Sequence, residues 1–161
     1  MLPAGDAAGR WARVLALAVP AGLLGGAYLS QYGFGLYPCE MCWWQRYPHF
    51  AALVLAALAW ARPPGRLAVT LAALAILVSG GIGAWHAGVE YGWWEGVTDC
   101  AATAQAGADP LTAILDAPIV RCDQVAWDLA GISLAGFNFL ISTAAGLAIL
   151  WLTRRSARAA G

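Results

Sequence analysis

The chain has no lysine and little charge of either sign. Nine arginines and nine acids make up 11% of its 161 residues. A soluble domain of this length needs a charged surface, and there is too little charge here to make one. Formal net charge is zero, which gives no reason to expect nucleic acid as a partner. The missing lysine reads as compositional bias without functional content. Short alternating strands, the mark of a membrane barrel, are also missing. No A-x-A site follows the first apolar stretch, so that stretch is expected to stay as a helix. What remains is strongly apolar: 61% hydrophobic residues and a mean hydropathy of +0.64. This is the composition of an all-α membrane protein, in which each helix satisfies its own backbone in lipid.

A span needs about 20 mostly apolar residues. Segments 14–32 and 67–85 are 19 residues each, and 132–152 is 21. The remaining candidate, 47–61, is only 15 residues; beginning it at Trp43 gives 19 but takes in Gln45 and Arg46. The expectation is one integral membrane domain over 1–161, a four-transmembrane-helix bundle. Its spans are about 14–32, 43–61, 67–85 and 132–152, with external loops 33–42 and 87–131. The Arg-Pro-Pro-Gly-Arg turn at 62–66 separates the second and third spans. With four spans, Arg10, Arg13, Arg62, Arg66, Arg154, Arg155 and Arg158 share one side. The positive-inside rule makes that side the cytoplasm and puts both termini there. The cysteines then face the exterior, which in a bacterium is the periplasm, where disulfides persist.

Small residues recur at four-residue spacing: Gly22 and Gly26; Ala75, Ser79 and Gly83; Ser142 and Gly146. Such stripes let helices approach closely in lipid. In the long loop, 109–115 reads as a short helix with Asp109 as N-cap and Pro110 first. Its Leu111, Ile114 and Leu115 would share one face, resting on the bilayer surface.

Four cysteines carry the chemistry. Cys39 and Cys42 form a C-x-x-C at the entry to the second span; Cys100 and Cys122 lie in the long loop. Two external pairs suggest electrons passed from one to the other. Static disulfides are the plain alternative. Zinc is not expected: 57 residues separate the pairs, and the second pair is C-x21-C, so no metal site is read. Cys42 begins a helical stretch, where positive charge and a helix N-terminus both stabilise a thiolate. Arg46, four residues on, shares its face, and His49 extends that face. An ionisable group at this depth marks function by default, although Arg46 snorkelling to a lipid phosphate is the plain reading. Pro48 leaves the carbonyl of Trp44 without its helical donor. An opening at the interface would be rimmed by Trp43, Trp44 and His86. Trp43, Trp44, Trp93, Trp94 and Trp127 otherwise read as an interfacial belt. His86 also stands four residues before Glu90, as an ion-pair partner.

The string Pro38-Cys39-Glu40-Met41-Cys42-Trp43-Trp44-Gln45-Arg46-Tyr47-Pro48-His49 resembles the first-loop signature of the DsbB family of disulfide bond formation proteins. Cys100 and Cys122, followed by Asp123 and Trp127, resemble that family's second-loop pair. Ile132-Ser133-Leu134-Ala135-Gly136-Phe137-Asn138 is similar to the start of its fourth helix. The resemblance covers roughly residues 28–138. It implies a thiol:quinone oxidoreductase of the bacterial inner membrane. Such a protein reoxidises DsbA, a soluble periplasmic thioredoxin-fold protein, and passes the electrons to the membrane quinone pool, with ubiquinone preferred to menaquinone. By the same resemblance, Cys100 is attacked by reduced DsbA, Cys122 attacks Cys39, and Cys42 donates to the quinone. Arg46 holds that thiolate and polarises the ring, and His86 neighbours it. DsbA is itself a strong oxidant, at about −120 mV, so the quinone must pull the electrons through. Two other classes stand beside this one: a quinone-linked enzyme resembling vitamin K epoxide reductase, and a scaffold stapled by disulfides. The first carries its active C-x-x-C on a late helix; here the motif follows the first span.

Overall fold

A computed structural model describes residues 7–62, 65–96, 101–102 and 119–159. Among these residues it is mostly helical. Helix α1 is Ala7–Gly33, α2 is Glu40–Ala61, α3 is Arg66–Glu90 and α4 is Leu134–Ala159. Two-residue strands β1 (Ala101–Ala102) and β2 (Ile119–Val120) pair antiparallel, as do β3 (Asp128–Leu129) and β4 (Ile132–Ser133). The expected helix at 109–115 lies outside the described residues, as does Cys100.

Helices α1, α3 and α4 are long and apolar enough to cross a membrane. α2 falls short of that measure because Gln45, Arg46, Pro48 and His49 occupy its first half. α3 packs against α2 and α4, and α1 packs against the same two, so the helices form a square with α1 and α3 on a diagonal. The α2–α3 turn needs glycine at its end. Gly65 has a φ of +56°, and a Cβ there would stand 2.6 Å from the Ala59 carbonyl oxygen.

The half of the bundle away from the C-x-x-C is packed with small side chains. Ala12, Ala16, Ala52, Ala56, Ala59, Ala72 and Ala73 are buried around Ile76 and Ile149. Small residues at a contact bring backbones close, and the α3–α4 seam shows it. A Cβ on Gly83 would meet the Ala135 carbonyl, the Asn138 amide and the Phe139 nitrogen, each at 3.0 Å. One on Gly146 would meet Leu77 at 2.6 Å. Ser79 and Ser142 on the same seam are fully buried.

The stripe in α1 behaves differently. Gly22 and Gly26 have nothing within 4 Å of where a Cβ would stand, and both line a cavity. The sequence reading of a helix contact at this pair is corrected: the missing side chains leave space rather than a seam.

Residues 132 and 133 are not helical. They form β4, because Ala130 and Gly131 both take positive φ (54° and 77°) and turn the chain into a tight hairpin. That two-residue geometry matches the strand twist. Tyr91, just after α3, clamps the hairpin. Its hydroxyl donates to the Gly131 carbonyl (3.0 Å) and accepts from the Ser133 N–H (2.9 Å). Glu90 and Ser133 are thereby held at the same end of the bundle as the C-x-x-C.

Candidate functional site

Cys39 is the N-cap of α2, with extended backbone (φ −74°, ψ 177°), and its sulfur accepts the N–H of Cys42 at 3.4 Å. A sulfur here caps the positive end of the helix, an arrangement that favours thiolate in the pair. The Cys39 thiol donates to Cys42 Sγ at 3.2 Å, a bond that favours negative charge on Cys42 over Cys39. That hydrogen bond first, and burial second, push the Cys39 thiol up to about 12; the neighbouring His86 opposes them. Cys39 is only 3% exposed.

Cys122 comes from the long loop and is buried against the same group, with Met41 and Val89 around it. Cys39 Sγ, Cys122 Sγ and a ring nitrogen of His86 all lie within 4.8 Å of one another. One cysteine of the second pair is thus beside the first pair. Its other member, Cys100, is outside the described residues. Beyond Cys122, Arg121 forks onto Asp123, with Nε donating to Oδ1 at 2.8 Å. Arg121 holds that exposed carboxyl below its ordinary range.

Behind the cysteines a polar network crosses the bundle. Gln45 Nε2 lies 3.1 Å from the Met41 carbonyl and 2.8 Å from His86 Nδ1. Asn138 Nδ2 donates to Gln45 Oε1 (2.8 Å) and to the Ser79 carbonyl (3.1 Å). Backbone carbonyls can only accept, so Met41 and Ser79 set the orientation of both amides. Gln45 then donates to His86 Nδ1, which leaves the ring proton on Nε2, 3.5 Å from Cys39 Sγ. His49 follows suit: its Nε2 donates to Asn138 Oδ1 at 3.0 Å. A ring with its proton on Nε2 is a donor toward the sulfurs. Ser79 Oγ donates to the Gln45 carbonyl at 2.8 Å, one residue on from the carbonyl that Pro48 was expected to free.

Arg46 is buried, 6% exposed. Its guanidinium donates to Gln31 Oε1 (2.7 Å) and the Ala27 carbonyl (3.3 Å), and lies over the rings of Tyr28 (4.9 Å) and Trp43 (4.7 Å). These partners tie it to α1, and none is a cysteine. It meets Cys42 at a cavity instead. That cavity is about 240 Å³, bounded by Cys42, Arg46, His49, His86 and Glu90 on one side and by Gly22 and Gly26 on the other. Trp127 and Phe137 also line it; Trp43 and Trp44 do not. The expected rim is corrected accordingly: Trp43 stacks on Arg46, and Trp44 packs against the cysteines.

Sequence reasoning reached the cysteines, Arg46 and His86 but missed Gln45, Asn138 and Ser79 as a unit. The available signal was polar side chains inside apolar helices, which seldom go unpartnered in lipid. Glu90 was read only as an ion-pair partner of His86; its Oε1 is 3.8 Å from His86 Nε2.

A helix-capped dithiol with a third cysteine beside it, opening on a cavity between apolar helices, defines a membrane-embedded thiol redox protein. The family model described as "Disulfide bond formation protein DsbB" matches residues 9–152. The chain belongs to the DsbB family, and with it to the oxidoreductases of disulfide bond formation. It is 34% identical over 158 residues to a disulfide bond formation protein B of Verminephrobacter eiseniae, covering 91% of this chain and 86% of that one. Another of that name, from Aromatoleum aromaticum, is 31% identical over 150 residues, covering 86% and 89%. One from Marinobacter nauticus is 28% identical over 139, covering 80% and 82%. No solved structure matches the chain.

Proposed function

We propose that this protein takes electrons from a reduced DsbA-like thioredoxin-fold protein of the periplasm by thiol–disulfide exchange and passes them to a membrane quinone. It does so as a four-span protein of the bacterial inner membrane, with its cysteines on the periplasmic side and both termini in the cytoplasm. The observation that carries this is the placement of Cys122 within 4.8 Å of Cys39, with Cys42 on the cavity wall. Exchange requires a thiolate to reach a disulfide sulfur. Cys122 is placed to attack Cys39, and Cys42 is then the leaving sulfur. Cys100 would receive the partner protein's attack, which frees Cys122.

The cavity suits a quinone. Its mostly apolar wall and the open space over Gly22 and Gly26 accept a flat ring, while Arg46 and His86 offer donors to ring oxygens. A bound quinone supplies an acceptor for two electrons and two protons. Cys42, the sulfur on which the Cys39 hydrogen bond favours negative charge, faces the cavity. Arg46 stays cationic and favours charge developing on a ring oxygen. His86 presents Nε2–H to the Cys39 sulfur and holds it in place. Ubiquinone is proposed ahead of menaquinone.

The test is quinone reduction by purified protein in detergent after adding a reduced thioredoxin-fold dithiol. Wild type should reduce quinone rapidly and Cys42→Ala should not. No reduction by wild type, with a competent dithiol partner present, would overturn the reading.

A further inference from the structure

Each turnover strips two protons and two electrons from thiols, and a quinone that ends as a quinol takes up two of each. Electrons can leave through Cys42. The protons need a group that can take one and give it back. The described groups around the cysteines are mostly unsuited. His86 has its Nδ1 engaged by Gln45 and its proton on Nε2. His49 has its Nε2 bound to Asn138 and Ser79; its Nδ1 is open like a Glu90 oxygen, but its hydrogen bonds run to α3 and α4 rather than to the cysteines or His86. Arg46 stays protonated. The Tyr91 hydroxyl is engaged on both sides by the hairpin backbone. Cys39, Cys42 and Cys122 are the reacting groups themselves.

Glu90 is different. Its side chain is 6% exposed, it lines the cavity, and Oε1 stands 3.8 Å from His86 Nε2. Its Oε2 is buried with no hydrogen-bond partner among the described residues. A buried acceptor left open is costly, by about 1–3 kcal/mol, and calls for an explanation. A carboxyl group that exchanges a proton with thiols on one side and a ring oxygen on the other supplies one.

We propose that Glu90 is the proton carrier of the cysteine centre. It takes the proton that leaves the thiols beside His86 and delivers it to the ring reduced in the cavity. The proposal deepens the proposed function and depends on it for the final acceptor. The balance is simple. As the Cys39–Cys42 disulfide re-forms, the Cys39 S–H bond breaks and one S–S bond is made, the Cys39 proton moves to the Glu90 carboxylate, and the electron pair leaves through Cys42. The Cys42 proton has already passed to solvent on forming the thiolate, and the ring draws its second proton from solvent. The Glu90 proton then follows the electrons. Titratable and charged groups on the elements around Glu90 are His86 on its own helix, Cys39 at the start of α2, Cys42 and Arg46 in α2, and Cys122 from the loop; of the neighbouring groups, His86 and the Ser133 hydroxyl of β4 act on it directly.

The experiment has two arms on full-length protein in detergent. In the first, quinone-free protein is compared by infrared difference spectroscopy between its disulfide and dithiol forms. Wild type should show a carboxyl band that changes with the redox state and is absent in Glu90→Gln. No such band in wild type, or an unchanged band in the variant, overturns the proposal. In the second, reduced protein is mixed with a soluble short-chain quinone across a pH series. Glu90→Gln should slow reduction by roughly 10²-fold and flatten the pH profile, the usual scale for losing a proton-transfer group. Glu90→Ala should recover rate with added formate, which a structural role would not produce. An unchanged rate and profile in Glu90→Gln, or no formate rescue, counts against Glu90. If wild type itself reduces no quinone, the proposed function fails while the infrared arm still judges Glu90.

Discussion

The side-chain amide of Gln45 lies 2.8 Å from Nδ1 of His86, and the Met41 carbonyl 3.1 Å away allows it only one orientation. The imidazole therefore points Nε2–H at the Cys39 sulfur. Asn138 repeats the arrangement deeper in the bundle, where the Ser79 carbonyl orients it and it accepts from His49. Two backbone carbonyls thus set the protonation geometry of both histidines.

Replacing Gln45 by Leu removes the donor to Nδ1 and frees Asn138 Nδ2 from its acceptor. Histidine ¹⁵N spectra should show His86 protonated on Nε2 in wild type and a mixture of tautomers in Gln45→Leu. Stability should fall by about 1–3 kcal/mol, the cost of orphaned buried polar groups. An Nε2 tautomer that survives intact in the variant would separate His86 from Gln45.

Removing Cys42 should make Cys39 more reactive. The Cys42 hydrogen bond is the largest cause of the rise in Cys39 from its ordinary 9.0 to about 12. In Cys42→Ala that cause is gone and the thiolate fraction of Cys39 increases. Alkylation of Cys39 at pH 8 should therefore be faster in the variant than in the wild-type dithiol form. The sign for stability follows from the same shift. A raised thiol stabilises the dithiol fold fully below about 9, and that contribution is lost as pH climbs through about 12. Thermal melts of the dithiol protein should accordingly weaken only on the alkaline side.

Arg46→Ala should raise the KM for quinone and also lower Tm, because Arg46 joins α2 to Gln31 and Tyr28 on α1. Losing a buried charged donor costs about 1–3 kcal/mol, or several degrees in a chain of this length. Arg46→Lys should keep part of the quinone affinity, since the charge remains, but not the paired bonds to Gln31 and Ala27. A KM unchanged in both variants would remove Arg46 from the quinone site.

Glycines of one spacing should respond in opposite ways. Gly26→Leu projects into open space and should leave Tm nearly unchanged while raising the quinone KM by filling the cavity. Gly83→Leu meets α4 backbone at 3.0 Å and should lower Tm by several degrees, with overpacking of this kind costing about 1–3 kcal/mol. Melts and quinone titrations on the two variants read this directly.

The stripes at Gly22 and Gly83 look alike in sequence, and only packing tells a helix seam from a cavity wall. α2 shows the limit from the other side. Its 15-residue apolar run, 47–61, looked short for a span because Gln45 and Arg46 precede it, and these two, with His49 inside the run, line the cavity. Trp43 and Trp44 were placed at the opening by their position beside Cys42. Rotation about the helix sends one to Arg46 and the other to the cysteines.

The sequence by itself determined the membrane class, the long apolar helices, the C-x-x-C and its arginine, because hydropathy, length and short spacing are local properties of the chain. Only the tertiary structure decided that Cys122 lies beside Cys39, that Gln45 and Asn138 hold the histidines, and that Glu90 faces the cavity. Those contacts join residues 41 to 93 positions apart, and their geometry depends on how four helices rotate against one another.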